Sequence, residues 1–297
     1  MKRLEDLVNM AAKNGRRTLV VAVAQDKDVL LAVKSASDAG LIKPLLVGDS
    51  DEIKVAAREA GLDISNIDIF PVTDNQQACN MAAGMARDNK GSILMKGMVA
   101  TGILMKAVLD KENGLMSGSL LSHIAFFESP YYHKLICITD AALNISPDLQ
   151  EKAGIINNAV NALHRLGVAL PKVGILAAVE TVNPKMEATT HAAMLVAMQK
   201  RNQIRGCLID GPLALDNAIS AEAAHHKGIV SDVAGDADIL LAPDITSGNI
   251  LYKSLIFLGG AVTAAMIVGA SVPVVLTSRS DSDKSKFLSI ALAAAME

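Results

Sequence analysis

Thr277-Ser278-Arg279-Ser280-Asp281-Ser282-Asp283 packs hydroxyls, a guanidinium and two carboxylates into one short stretch. Those are tools for holding an anion and moving a proton. A guanidinium grips an oxyanion with two parallel N–H bonds, hydroxyls donate, and a carboxylate takes a proton. The apolar, β-branched run 272–276 just before it reads as a buried strand. Leu288, Ile290, Ala291 and Leu292 then fall on helical spacing. The polar cluster thus lies where a strand ends and a helix begins. Open α/β sheets bind ligands there, and a helix N-terminus favours anions. Ser280 or Asp281 as a plain helix cap explains one of these groups, not the Ser278-Arg279 pair.

Other strand ends carry similar groups. Lys96-Gly97-Met98-Val99-Ala100-Thr101-Gly102 follows the apolar run 92–95. Gly97 lets backbone approach a ligand, Thr101 and the helix start donate to an anion, and Lys96 neutralises it. An ordinary turn with Thr101 as N-cap accounts for the same residues equally well. The lysine precedes the first glycine, so this is not the G-x-x-x-x-G-K-[ST] phosphate loop. Pro243-Asp244-Ile-Thr-Ser-Gly248-Asn249 is denser, with Asp244, Ser247 and Asn249 entering a helix from a buried strand. Gly248 there signals close backbone approach, to a ligand or a neighbouring helix. Thr246 or Ser247 as a plain N-cap is the alternative. The stretch 180–185 ends another strand, with Pro184 at a favoured first helical position. Asp210-Gly211-Pro212 is a tight turn that structure alone explains.

No metal site is expected. His225 and His226 are adjacent, so on a helix they point about 100° apart. His123, His133, His164 and His191 are scattered. Neither G-x-S-x-G nor G-x-G-x-x-G occurs, which removes the hydrolase elbow and the dinucleotide fingerprint.

The elements that would position these loops alternate. Strand-like runs at 18–24, which is β-branched, and at 45–49, 67–72 and 92–95 are separated by helical patterns at 26–39, 51–60, 75–89 and 101–109. That is the rhythm of an open, mostly parallel, helix-covered sheet. It changes at 120–127 and 135–138, two apolar runs with no room for a crossover helix, which read as adjacent strands, with a hairpin one way to join them. Pro147 then opens a long helix, and runs at 173–178, 206–210 and 238–242 read as strands of a second sheet. Two domains are expected, residues 1–128 with a returning 270–297, and 129–269.

Composition sets the bounds. Of 297 residues 51% are apolar but only eight are aromatic, so aliphatic side chains and 13 methionines must fill the core. Mean hydropathy is +0.34, which suits strands buried on both faces. Lys plus Arg number 28 against 31 Asp plus Glu, which argues against a nucleic-acid partner. Cys79, Cys137 and Cys207 stand far apart in apolar contexts, as reduced thiols do. With neither a signal-peptide core nor a membrane span legible, a cytoplasmic protein without membrane association is expected.

Taken together, the loops resemble the phosphate acetyl/butyryltransferase family, its butyryl branch above all. The likeness runs through Leu45-Leu-Val-Gly-Asp49, Leu94-Met-Lys-Gly-Met-Val-Ala-Thr101, Lys106-Ala-Val-Leu-Asp-Lys-Glu-Asn-Gly114, Leu121-Ser-His-Ile124 and Ile138-Thr-Asp-Ala-Ala-Leu-Asn144. It continues in Glu180-Thr-Val-Asn-Pro-Lys-Met186, Asp210-Gly-Pro-Leu-Ala-Leu-Asp216, Pro243-Asp244, Gly248-Asn-Ile-Leu-Tyr-Lys253 and Thr277-Ser-Arg279. The resemblance implies two α/β/α domains with a cleft between them, like isocitrate and isopropylmalate dehydrogenases. It implies a homodimer or larger homo-oligomer. The implied reaction interconverts a short-chain acyl-CoA plus phosphate with acyl phosphate plus CoA. Coenzyme A is then a substrate, and no cofactor is held permanently. A CoA thiolate attacks directly in a ternary complex, with Ser278, Arg279 and Asp283 catalytic. Lys96, Gly97, Thr101, Asp244, Gly248 and Asn249 would bind phosphate and CoA. The acetyl branch carries an aspartate about six residues beyond its Ser-Arg pair; here that position is Ser285. Met116 stands where a basic residue is expected. An acetyl-specific enzyme and a non-catalytic ligand-binding member of the fold are the alternatives.

Overall fold

A computed structural model describes residues 1–89, 91–277 and 281–296. Ser278 and Arg279 therefore lie outside the described residues. Contacts divide the chain into a terminal unit, Glu5–Ser119 with everything from Ala264 onward, and a central unit, Leu120–Thr263 with Met1–Leu4. Against the boundaries expected at 128 and 270, residues 120–128 group with the central unit. They do so because their strand pairs there.

The terminal unit begins α1 (Glu5–Asn14), β1 (Arg17–Ala22), α2 (Lys27–Asp38), β2 (Ile42–Gly48), α3 (Ser50–Ala60) and β3 (Asp68–Pro71). It continues α4 (Asn75–Asp88), β4 (Ile93–Lys96) and α5 (Thr101–Val108). The central unit runs β5 (Ser122–Glu128), β6 (Ile136–Thr139), α6 (Leu149–Arg165), β7 (Lys172–Leu176), α7 (Glu187–Lys200) and β8 (Leu208–Leu213). Next come α8 (Leu215–Ile219), α9 (Ala221–His226), β9 (Ile239–Leu241) and α10 (Ile245–Phe257). The chain ends in β10 (Val262–Val268), β11 (Val274–Val275) and α11 (Asp283–Ala295).

Strand order in the terminal unit is β3-β2-β1-β4-β11-β10. β1, β2, β3, β4 and β11 are parallel neighbours, and β10 meets β11 antiparallel. The chain moves outward from β1 to β3, then returns to lay β4 on the other side of β1. That reversal makes the β1/β4 carboxyl ends the switch point, where a crevice opens. In the central unit the order is β5-β6-β9-β7-β8. All are parallel except β5, which pairs antiparallel with β6 through Ala125↔Ile138 and Phe127↔Ile136. β9 is inserted between β6 and β7, so β6/β9 is the second switch point.

The strands that read as continuous apolar runs are buried on both faces. Leu19, Val20, Val21, Leu94 and Met95 are fully enclosed. Aliphatic residues dominate this core, with Phe127 its largest fully buried side chain. Several helices start on short acidic or hydroxyl caps. Asp26, Asp49 and Asp74 accept first-turn N–H groups of α2, α3 and α4, and Asp148 forms a reciprocal capping box with Glu151 on α6. Among the described residues no helix is long and apolar enough to cross a membrane.

Two readings are corrected. α7 begins at Glu187 rather than at Pro184, because Asn183 accepts Lys185 N–H on its side chain and Met186 N–H on its carbonyl, closing a turn instead. β8 also runs straight through Gly211-Pro212. Gly211 is required by crowding, since a Cβ there would stand 2.8 Å from Ile175 Cβ.

Candidate active site

At the β1/β4 switch point the loop after β4 is laced onto the end of β1. Gly97 N–H donates to Ala22 O at 2.8 Å and Met98 N–H to Val23 O at 2.7 Å. A Cβ on Gly97 would meet Val23 O at 2.1 Å, so Gly97 makes room for the end of β1. Val23 itself is a β-branched residue at φ 57°, a conformation that persists only when its surroundings impose it. Lys96 is buried, and its Nζ donates to Gly97 O at 3.1 Å and Val99 O at 3.2 Å. The ammonium thus holds the loop in shape from beneath. Thr101 is exposed and is the first residue of α5, whose N-cap is Ala100 with no side-chain acceptor. The N-cap role weighed for Thr101 is not taken.

Beside this loop a cavity of about 580 Å³ is lined by Gln25, Val55, Ala56 and Met98, by five carboxylates (Asp26, Asp28, Asp51, Glu52, Glu59), and by one lysine, Lys27. That charge balance suits no polyphosphate. Asp283 is exposed in the first turn of α11, after the N-cap Ser282. A carboxylate there stabilises the positive helix end, which accounts for it without chemistry.

At the β6/β9 switch point two loops are fastened together. The first follows β6. Asp140 is buried, and its carboxylate accepts four hydrogen bonds. Ala142 and Leu143 N–H reach Oδ1 at 2.8 and 2.9 Å, and His123 N–H and Asn144 Nδ2 reach Oδ2 at 3.0 and 2.6 Å. The second loop follows β9. Asp244 is the N-cap of α10 and accepts Ser247 N–H at 2.8 Å, so neither Thr246 nor Ser247 is the cap. Asn249 Nδ2 donates to Ala141 O at 3.0 Å, and Ile245 N–H to Ile145 O at 3.0 Å. Gly248 makes the close backbone approach read from the sequence, here to the loop that follows β6. A Cβ there would stand 2.3 Å from Asp140 O. Gly248→Ala is accordingly expected to destabilise by about 3 kcal/mol by overpacking. Urea unfolding checks this, and an unchanged midpoint would mean the two loops are not in contact.

The sequence missed what surrounds these loops. The His123 ring is buried and meets the Tyr252 ring of α10 at 6.0 Å between centroids, and Tyr252 meets Phe127 edge-on at 5.2 Å. Lys152, buried in α6, lies 3.0 Å (Nζ to Nδ1) from His191 of α7. Burial lowers the Lys152 pKa, opposed by the charges of Glu187, Asp244 and Asp148. Burial, and then Lys152, also hold His191 below the usual histidine range. Because the folded pKa of His191 is depressed, protonation favours the unfolded chain. Its stabilising contribution is present at neutral pH and is lost as pH falls below about 6.5. Between pH 7.5 and 5.5 the melting temperature should drop more for the wild type than for His191→Gln. Equal drops would remove His191 from the balance.

Only Asp140 carried a usable signal in the sequence, as the first charged residue after an apolar strand. His123 and Lys152 stand inside apolar or helical patterns that mark no function. Among the described residues no cluster of histidine, cysteine and carboxylate groups could hold a metal ion.

With this geometry in place, comparison with known proteins is informative. A family model described as phosphate acetyl/butaryl transferase matches residues 3–80 and 72–294. The chain belongs to that family. Among similar members, a probable phosphate butyryltransferase of Bacillus subtilis is 47% identical over 291 residues, 98% of this chain and 97% of the relative. A phosphate butyryltransferase of Clostridium acetobutylicum is 44% identical over 294 residues, 99% and 98% of the two chains. A phosphate acetyltransferase of Thermotoga maritima is 43% identical over 291 residues, 98% of each. A crystal structure of a branched-chain phosphotransacylase from Enterococcus faecalis superposes with a TM-score of 0.82 at 33% identity, covering 94% of this chain and 98% of that one. Family members of both acyl specificities thus align end to end with this chain.

Proposed function

We propose that this protein is an acyltransferase that interconverts a short-chain acyl-CoA plus phosphate with acyl phosphate plus CoA, with butyryl-CoA its preferred acyl donor. The carrying observation is full-length family membership, with butyryltransferases at 47% and 44% identity against 43% for the acetyltransferase. In the direction of thioester formation, a CoA thiolate attacks the acyl phosphate carbonyl in a ternary complex. Arg279 takes the phosphate with a bidentate pair of N–H bonds, and Ser278 donates to the carbonyl or leaving oxygen. Thr101 and Asn249 donate from two helix starts. Lys96, Gly97, Asp244 and Gly248 fix the backbone of the two loops that present them. The test is phosphate-dependent CoA release from C2 to C6 acyl-CoAs. Absence of reaction with every substrate would sink the enzyme reading, and a clear preference for acetyl-CoA would sink the branch.

The homo-oligomer and cytoplasmic placement belong to the same proposal. α10 supports the first. It reads ITSGNILYKSLIF, yet Gly248 is its one fully buried residue, and Ile250, Phe257 and the following Leu258 are 61%, 67% and 87% exposed. Such an uncovered apolar face fits a second copy of the chain. Phe257→Asp should shift the molecular mass in solution toward the monomer. A wild type that is already monomeric by light scattering would reject the idea. The three free, buried cysteines, Cys79, Cys137 and Cys207, suit a reducing compartment.

A further inference from the structure

The acyltransferase reading leaves one necessity unassigned. A thiol with an ordinary pKa near ~8.5 is mostly protonated at neutral pH, so something must remove its proton. The structure points to a histidine delivered by the odd strand of the central unit. In parallel strands the carboxyl ends face the site. β5 is antiparallel to β6, so its beginning, not its end, stands beside the carboxyl end of β6. The pairing Ala125↔Ile138 continues to His123 beside Asp140, and the contacts agree. His123 N–H donates to Asp140 Oδ2 at 3.0 Å, and Thr139 Oγ1 donates to His123 O at 2.8 Å. His123 is thereby held on both sides of its backbone, at the same sheet end as the Asp244–Asn249 loop. Its ring, 4% exposed, lies against Tyr252, two turns along the helix that this loop begins. A core position would serve an apolar residue better. Here an imidazole, the side chain that titrates nearest neutrality, is fixed at a switch point.

We propose that His123 is the catalytic residue that moves the proton in this reaction, resting on the acyltransferase reading above. Its neutral imidazole takes the CoA S–H proton. The sulfur lone pair forms the C–S bond to the acyl carbon, and the C–O bond to phosphate breaks with its electron pair on oxygen. The imidazolium then returns the proton to the departing phosphate, which leaves as monohydrogen phosphate. Thioester and phosphate are produced, and the histidine is regenerated neutral. Charged and titratable groups near β5 are Asp140 and Cys137 at β6, Asp148, Glu151, Lys152, His164 and Arg165 on α6, and Asp244, Tyr252 and Lys253 on α10, which meets β5 through the Tyr252 ring.

The experiment follows kcat/KM for CoA with butyryl phosphate from pH 5.5 to 9 in wild type, His123→Gln and His123→Ala, with circular dichroism as a check on folding. Removing a general base is expected to cost about 10² to 10⁴-fold. The wild type should show an acid limb, losing activity as the imidazole protonates. That acid limb should disappear in H123Q. Added imidazole should restore H123A in proportion to its unprotonated fraction. Activity within threefold of wild type in H123Q overturns the proposal, as does loss of rate with an unaltered pH profile and no rescue by imidazole. A wild-type profile without an acid limb overturns it whether or not either variant folds. If the wild type turns over no acyl phosphate, the acyltransferase reading fails first, and the two failures are told apart by that single measurement.

Discussion

Arg279→Ala is expected to lower kcat/KM by about 10²-fold or more, the cost of removing a preorganised donor from developing negative charge. The loss should fall on both kcat and the KM for phosphate, because the guanidinium would hold the phosphate in the ground state and stabilise it further as it departs or attacks. Arg279→Lys should recover only part of the rate, since an ammonium is a point charge and cannot reproduce the planar two-bond grip. Steady-state kinetics in the phosphate-consuming direction decide the matter. A rate within threefold of wild type for the alanine variant would take Arg279 out of the site. In the sequence Arg279 falls between the end of β11 and the start of α11.

Asp140→Ala should be the most damaging single change to stability. Removing the carboxylate leaves His123, Ala142 and Leu143 N–H and Asn144 Nδ2 without the acceptor they share. Each buried donor left unsatisfied costs about 1–3 kcal/mol, so a total of roughly 3–5 kcal/mol is expected after partial relaxation and water entry. That is a large share of a native stability of about 5–15 kcal/mol. Asp140→Asn should fall in between. It keeps one acceptor oxygen but turns an amide toward two donors on the other side. Urea unfolding monitored by circular dichroism measures both. A loss below about 1 kcal/mol for the alanine variant would mean that water or a moved side chain replaces the carboxylate.

The periodic part of this structure was legible in its sequence, and the polar part was legible only in places. Apolar runs such as 18–24 and 92–95 are strands because a short, nearly unbroken apolar run suits a sheet buried on both faces. The two runs 120–127 and 135–138 read as adjacent strands for want of a crossover, and they are β5 and β6, which the structure pairs antiparallel. Where several hydroxyls and carboxylates compete for one helix start, spacing does not choose among them. Asp244 won over Thr246 and Ser247 because its side chain reaches back to Ser247 N–H. Gly97 and Gly248 read as points of close approach, and each makes room for a backbone oxygen at a neighbouring strand end. A Lys beside glycines reads as an anion ligand until the loop carbonyls that receive Lys96 are seen. His123 was invisible for a different reason. The rule that sites gather at carboxyl ends of strands passes over the first residues of a strand, which in β5 is where the antiparallel direction puts them.

The fastening between the loops after β6 and β9 has a consequence for how ligands are met. Asp140 closes one loop on itself, and Asn249, Ile245 and Gly248 press the other onto it. Neither can shift without dragging its neighbour, so both acquire their final conformation when the central unit folds. In the site proposed above, a substrate would find donors already oriented and would not have to order them, which spares its binding energy for the reacting groups. Whatever conformational adjustment accompanies substrate binding must therefore take place outside these two loops.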